Sequence, residues 1–280
     1  MRRPTFSIIT ATLNAKDAIS EIATSLASQT CRDFNWIVED AQSTDGTLEE
    51  VSKYKSSVPE LLIFSQKDSG VYDAWNKALD NAGDCLGDWC IFLGAGDSLA
   101  NENVLAKVRE LLLETSDEVK ICTGSAIFIS IDGIKTAYCI GSSEEAYKNL
   151  WWKMVANAAT FYRRECLIAE KFDNTYKITG DYEFCSRVLK SARELKKIDF
   201  LVSYVRAGGL SESADGRNRV LCAKEHYRVF KTHHSGSVYK TAVALYYLYK
   251  LQCYVFLNSF PLGRGIILIN RKVKGFFHRK

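Results

Sequence analysis

Gly87-Asp88-Trp89-Cys90-Ile91-Phe92-Leu93-Gly94-Ala95-Gly96-Asp97 is an apolar run that ends in two glycines and one carboxylate. Trp89, Ile91, Phe92 and Leu93 are apolar on both parities of an extended chain. That is the pattern of a strand covered on both faces, as in a parallel sheet between layers of helices. In such sheets ligands bind beyond the carboxyl ends of the strands, so the run delivers Asp97 to a place where chemistry is expected. Gly94 and Gly96 are read as positions where the backbone takes positive φ and comes close to a ligand, and a lone carboxylate there suits a hard cation such as Mg²⁺ or Mn²⁺. A plainer reading has equal support from these residues: a turn, with Asp97 as the N-cap of the next helix.

On both sides of this run, strands and helices alternate. Residues 5–11 read as a strand, and Ile19, Ile22, Ala23, Leu26 and Ala27 recur at helical spacing. Phe34–Asp40 is the next strand, after which Ser43-Thr44-Asp45-Gly46-Thr47 supplies the turn chemistry that opens a helix at Leu48. Leu61–Ser65 is a third strand, and the loop Lys67-Asp68-Ser69-Gly70 leads into a helix with Val71, Trp75, Ala78, Leu79 and Ala82 on one side. After Asp97 a further helix carries Val104, Leu105, Val108, Leu111 and Leu112. This alternation implies an α/β fold with a mostly parallel sheet and helices on both faces.

The second half differs. Residues 119–130 and 134–140 flank Asp132-Gly133, a hairpin turn signal, residues 157–163 read as one more strand, and a helix begins near Gly180-Asp181. Residues 1–220 are taken as one domain, and 221–280 as a helical, basic and apolar tail. From residue 226 onward there are ten lysines and arginines and no Asp or Glu, although the net charge of the 280-residue chain is only +4. An acidic body with a basic tail argues against a nucleic-acid-binding body. It leaves two partners open for residues 236–280: an anionic membrane surface, or packing on the domain or on a second copy of the chain. Residues 241–249 are apolar but are followed by Lys250 and Gln252, too short a run for a spanning helix, which needs about 20 apolar residues.

Nine scattered cysteines without C-x-x-C spacing suggest neither a disulfide framework nor a zinc site, and point to a reducing, cytoplasmic setting. The apolar N-terminal segment is interrupted by Ser7, Thr10 and Thr12, so it reads as a strand rather than a signal peptide. Neither G-x-G-x-x-G nor G-x-x-x-x-G-K-[ST] occurs, which removes the common dinucleotide and P-loop modes. What remains at the strand ends is a row of acids, Asp40, Asp68 and Asp97, suited to a ligand with hydroxyls, imide groups and a metal-bridged diphosphate. Asp40 also reads as a loop cap.

Five motifs carry a family resemblance. Thr10-Ala11-Thr12-Leu13-Asn14, the Asp40-x-x-Ser43-x-Asp45-Gly46-Thr47 turn, the segment from Asp68-Ser69-Gly70-Val71-Tyr72-Asp73 through Asn76-Lys77-Ala78, Phe92-Leu93-Gly94-Ala95-Gly96-Asp97, and Gly180-Asp181-Tyr182-Glu183 follow one another in the order and approximate spacing of family 2 glycosyltransferases. Over residues 5–212 the chain is most similar in look to the colanic-acid-type enzymes of bacterial polysaccharide clusters. The resemblance implies a GT-A fold and inverting sugar transfer from a nucleotide-sugar donor to a glycan or polyprenyl-linked acceptor, in the cytoplasm or on the cytoplasmic face of the inner membrane. It implies Asp40 at the base, Asp68 near base and ribose, Thr10 and Asn14 lining the nucleotide pocket, and Asp181 as catalytic base. Asp97 matches the last carboxylate of the D-x-D metal motif, whose first acid is Ala95 here; a Mn²⁺ or Mg²⁺ ion would lean on waters and phosphates for its other ligands. Tyr72 at a helix start and Gly96 at the strand end join the donor-binding set. Asn157 stands where relatives carry His. A sugar-phosphate nucleotidyltransferase and a non-catalytic sugar-nucleotide-binding protein are the competing functions. The first would need a Gly- and Arg-rich phosphate loop after the first strand.

Overall fold

The computed structural model describes residues 3–130, 132–151, 154–206 and 217–234, together with Thr241 and Leu245. By packing, the chain falls into two units, Met1–Gly209 and Leu210–Lys280.

The first unit is built on one sheet. β1 (Phe6–Thr12), β2 (Phe34–Asp40), β3 (Leu61–Ser65) and β4 (Trp89–Phe92) lie side by side in the order β3-β2-β1-β4, all parallel. Every residue of β2 and β4 is buried, as the two-sided apolar pattern requires. α1 (Ile19–Ala27) buries Ile19, Ile22, Ala23 and Leu26, the stripe its spacing predicts. α2 (Thr47–Ser52) follows β2, and α3 (Val71–Ala82) follows β3. In α3, Tyr72 and Ala74 are buried with Trp75, Ala78, Leu79 and Ala82, while Val71 is only half-buried.

Gly87, at the head of the apolar run, is there for a close approach: a Cβ would stand 2.6 Å from the Phe6 carbonyl carbon. Its N–H donates to Ser7 Oγ at 2.8 Å, which registers β4 against β1. Beyond β4 the sheet changes. β5 (Ser98–Leu99) is a short strand, and α4 (Val104–Leu113) begins only after it, with Asn103 as its N-cap. Asp97 is therefore not a helix cap. β6 (Ile121–Ile129) and β7 (Lys135–Tyr138) form the hairpin, with Gly133 left-handed at φ +78°. α5 (Ser143–Asn149), β8 (Thr160–Arg163), α6 (Arg164–Glu170), α7 (Gly180–Val188) and β9 (Leu195–Arg206) complete the unit. β8 is antiparallel to both β4 and β6, while β9 runs parallel to β6 and antiparallel to β5. The parallel run is thus confined to the first four strands, and a mixed half extends it.

Under the carboxyl edge of the sheet the aromatic rings interlock. Trp75 and Phe92 lie 4.4 Å apart by ring centroid, Phe92 and Phe172 5.2 Å, and Phe172 and Phe184 4.8 Å. Such pairs add about 0.5–1.5 kcal/mol each beyond the area they bury. They fix the end of β4, the face of α3 and the face of α7 against one another. In the second unit, α8 (Arg217–His233) ends at the basic pair His233-His234. Among the described residues no helix is long and apolar enough to cross a membrane, and eight cysteines are free thiols. The tail from residue 235 lies outside the described residues apart from Thr241 and Leu245.

Candidate active site

Because β1 to β4 are parallel, the loops at 13–17, 41–47, 66–70 and 93–97 leave the sheet from one edge. The first two are stitched together. Asn14 N–H donates to Ser43 Oγ (2.8 Å), Ala15 N–H to Thr47 Oγ1 (2.9 Å) and Lys16 N–H to Asp45 Oδ2 (3.1 Å). Thr44 N–H returns to Asn14 Oδ1 at 3.0 Å. Asn14 takes a left-handed φ of 50°, which lets its amide reach back across the gap. The Asp45-Gly46-Thr47 turn therefore does more than start α2: its two polar side chains hold the first loop.

Asp40 is fully buried beneath these loops. Oδ1 accepts from Thr12 Oγ1 (2.8 Å) and Ser43 Oγ (2.5 Å), and Oδ2 accepts from Ser43 N–H (2.8 Å) and, at 3.3 Å, from Ser65 Oγ. This is the geometry of a loop cap. Thr10 is displaced from its expected place because β1 runs on to Thr12. It lies inside the sheet, fully buried, and its hydroxyl accepts Trp36 Nε1–H at 3.0 Å. Thr12 takes the strand-end position instead.

Asp68 is half-buried and caps its own loop, Oδ1 accepting Gly70 N–H at 2.9 Å. Neighbouring loop groups are held by Asp73, which accepts Ser69 N–H (2.8 Å), and by Lys77 Nζ, which donates to the Lys67 carbonyl (2.6 Å). Glu39, one residue before Asp40, is also fully buried. It accepts from Gln66 Nε2 (2.9 Å) and Asn81 Nδ2 (3.0 Å), and burial pushes its carboxyl up.

At the end of β4, Gly94 to Asp97 forms a tight turn, Asp97 N–H donating to the Gly94 carbonyl at 3.0 Å. The carboxylate folds back on that turn: Oδ2 accepts Gly94 N–H (2.9 Å) and Oδ1 accepts Arg206 N–H (3.3 Å) at the end of β9. Neither Gly94 nor Gly96 takes positive φ. Gly94 is needed for another reason, since a Cβ there would stand 3.1 Å from Asp97 Oδ2. The Arg206 guanidinium points to Glu21 at 2.7 Å, and among the described residues no cation pairs with Asp97. Burial pushes its carboxyl up to about 6, only partly offset by the two backbone donors. A partly buried carboxylate with no cationic partner among the described residues fits one protein ligand for a divalent ion. Among the described residues no cluster of three His, Cys, Asp or Glu side chains stands ready to hold a metal, so the remaining ligands would come from elsewhere.

Asp181 is the second residue of α7 and is buried. The Tyr72 hydroxyl lies 3.0 Å from Asp181 Oδ1 and 2.7 Å from the Ile178 carbonyl. Tyr72 is only 3% exposed, so it does not present a face to a ligand. Glu183, the other acid of the motif, is ion-paired with Arg187 at 2.8 Å. Asn157 accepts from Tyr162 Oη at 2.9 Å and its amide reaches the Phe92 carbonyl at 3.5 Å, which ties residues 154–157 to the end of β4. Beside that segment is a cavity of about 210 Å³, lined by Tyr138, Ile140, Glu145, Ala146, Met154 and Val155 among others.

Thr12, Ser43, Thr47 and Arg206 are parts of the site that the motifs did not single out. Ser43 and Thr47 could have been found from the loop motif, whereas Arg206 reaches the site only because β9 pairs with β5.

A sequence profile described as Glycosyl transferase family 2 matches residues 7–170. A PGL/p-HBAD biosynthesis glycosyltransferase of Mycobacterium bovis is 32% identical over 217 residues, covering 76% of this chain and 81% of that one. Among solved structures, S. aureus TarS 1-349 superposes with a TM-score of 0.62 at 18% identity, covering 84% of this chain and 68% of that one. Mannosyltransferase PcManGT from Pyrobaculum calidifontis, in complex with GDP-Man and Mn²⁺, gives 0.63 at 16% identity, covering 98% of this chain and 81% of that one. Profile, relative and fold agree with the acids gathered at one sheet edge: the chain belongs to glycosyl transferase family 2, with the GT-A-type fold its motifs implied.

Proposed function

We propose that this glycosyltransferase moves a sugar, with inversion, from a nucleotide-sugar donor to a hydroxyl of a glycan or polyprenyl-linked acceptor, in building a bacterial envelope polysaccharide or exopolysaccharide. One observation carries the reading: Asp97, the stitched loops at 13–17 and 41–47, and the loop at 66–70 that Tyr72 links to Asp181 leave the sheet at a common edge. Solved neighbours at this fold hold UDP-GlcNAc, or GDP-Man with Mn²⁺, which supports the donor class and the metal. Asn14 and the loops around Asp40 and Asp68 form the nucleotide wall, with Gly96 at its floor. Asp97 is the residue that would hold a Mn²⁺ or Mg²⁺ ion, with the donor phosphates as further ligands. When bound, that ion offsets charge on the departing diphosphate.

The step the chain itself performs is a proton transfer. The acceptor oxygen attacks the anomeric carbon as the bond from that carbon to the diphosphate oxygen breaks. The acceptor proton passes to Asp181, and the electron pair of the broken bond leaves on the diphosphate. At a helix N-terminus the peptide dipoles favour the ionised carboxylate that such a base requires. The Glu183–Arg187 pair argues against Glu183 in that role. We place the enzyme in the cytoplasm, with residues 236–280 bringing it to an anionic inner-membrane face.

Single-turnover transfer by Asp181→Asn tests the assignment. The expected loss is about 10²–10⁴ in rate with donor affinity nearly unchanged. Transfer within a few-fold of wild type would remove Asp181 as the base.

A further inference from the structure

We infer that Tyr72 is a positioning residue for the base: its buried hydroxyl restrains the Asp181 carboxylate against rotation. This rests on Asp181 being the base.

Tyr72 is the second residue of α3, immediately after that loop, yet it turns inward, away from solvent. Its ring lies on Gly180, where a Cβ would stand 2.8 Å from ring atoms Cδ2 and Cε2. Only glycine at 180 lets the ring come that close, and that approach is what delivers the hydroxyl to Asp181 Oδ1 at 3.0 Å and to the Ile178 carbonyl at 2.7 Å. The phenol has one proton to share between these two acceptors, both within hydrogen-bond reach. Burial raises the phenol well above its ordinary value, so it stays a neutral donor throughout the working range.

The hydroxyl is not what joins the two segments. Asn76 donates to the Phe172 carbonyl (2.8 Å) and accepts Phe172 N–H (2.9 Å), and Lys177 Nζ donates to the Ser69 carbonyl at 2.9 Å. Together with the ring packing of Tyr72, Trp75 and Phe172, these contacts hold α3 against residues 172–181. With register already set, the hydroxyl is left with a narrower task, restricting rotation of the carboxylate that must meet the acceptor proton. A base misplaced by about 1 Å can lose about 10²-fold in rate.

The test is Tyr72→Phe, which keeps the ring on Gly180 and deletes only the hydroxyl, measured alone and combined with Asp181→Asn. Expected for Tyr72→Phe alone is a single-turnover rate about 10- to 100-fold lower, with donor Kd unchanged and a thermal midpoint within a few degrees of wild type. In the Asp181→Asn background the same change should have almost no further effect, since the group it positions is gone. An equal loss in both backgrounds, a wild-type rate for Tyr72→Phe, or a Tyr72→Phe protein that does not fold would each overturn the proposal. A near wild-type rate for Asp181→Asn alone would overturn the base assignment and this inference with it; that single variant separates the two failures.

Discussion

Asp97 is a partly buried carboxylate folded back on its own turn, answered by two backbone N–H groups and by no cation among the described residues. Its pKa near 6 means that the folded chain keeps a proton which the unfolded chain, at the ordinary value of 3.8, has already lost. Ionising Asp97 therefore opposes folding as the pH rises from about 4 to 6, and the opposition is complete above 6. Replacing it with Asn removes this dependence. In metal-free protein, the stability of Asp97→Asn relative to wild type should climb by about 3 kcal/mol through that window and level off on either side. Urea unfolding at a series of pH values reads this directly; a flat difference would mean the carboxyl is not dehydrated. Calorimetry of donor binding supplies the functional half. Mn²⁺ should tighten donor binding to wild type and make no difference to the variant.

The loops at 13–17 and 41–47 act as one element because three backbone N–H groups of the first are accepted by side chains of the second. Thr47 is the buried member of that set. Thr47→Val keeps the shape but strands Ala15 N–H and removes the hydroxyl that donates to Asp45 at 2.5 Å. An unsatisfied buried donor costs about 1–3 kcal/mol, so the urea midpoint should fall accordingly. Donor affinity should fall with it, because the nucleotide wall loses its brace. Lower stability with unchanged donor affinity would show that the first loop does not touch the donor. The strand end at 93–97 has a similar logic: Gly94 and Arg206 together aim Asp97, which is why β5 and β9 matter to the site although neither carries a candidate side chain.

For the molecule as a whole, the site divides into a donor edge and a flank beside it. The cavity of about 210 Å³ adjoins the segment that Asn157 ties to β4, and we propose it as the acceptor's approach. Ala146→Trp, from a half-buried position on its wall, should raise the acceptor KM at least several-fold and leave donor binding as it was. Unchanged acceptor kinetics would move the acceptor elsewhere. Each Lys or Arg near an anionic leaflet contributes roughly 1 kcal/mol, so ten of them from residue 226 onward, of which all but Arg228 and Lys231 lie beyond residue 235, make flotation with anionic liposomes at low salt the expected behaviour. A truncation after Ser235 should lose it. Full-length protein that ignores such liposomes would instead favour a second copy of the chain as the tail's partner.

Local pattern was enough for the parallel half of the sheet, for the stripes of α1 and α3, for the hairpin at Gly133 and for the family, because periodicity and turn chemistry act over a few residues. The same locality explains what it missed. Whether Asp97 capped a helix or ended a turn depended on β5 pairing with a strand more than a hundred residues away. Gly94 and Gly96 were read for positive φ, when the constraint at Gly94 is the carboxylate packed against it. Thr10 and Tyr72 have the right chemistry for a pocket, yet both turn inward, Thr10 to Trp36 and Tyr72 to Asp181. Sequence by itself determined which chemical groups the chain brings to the carboxyl edge of its sheet. Only the tertiary structure decided which of them face outward and which hold the others in place, since burial and hydrogen-bond partners are set by residues distant in the chain.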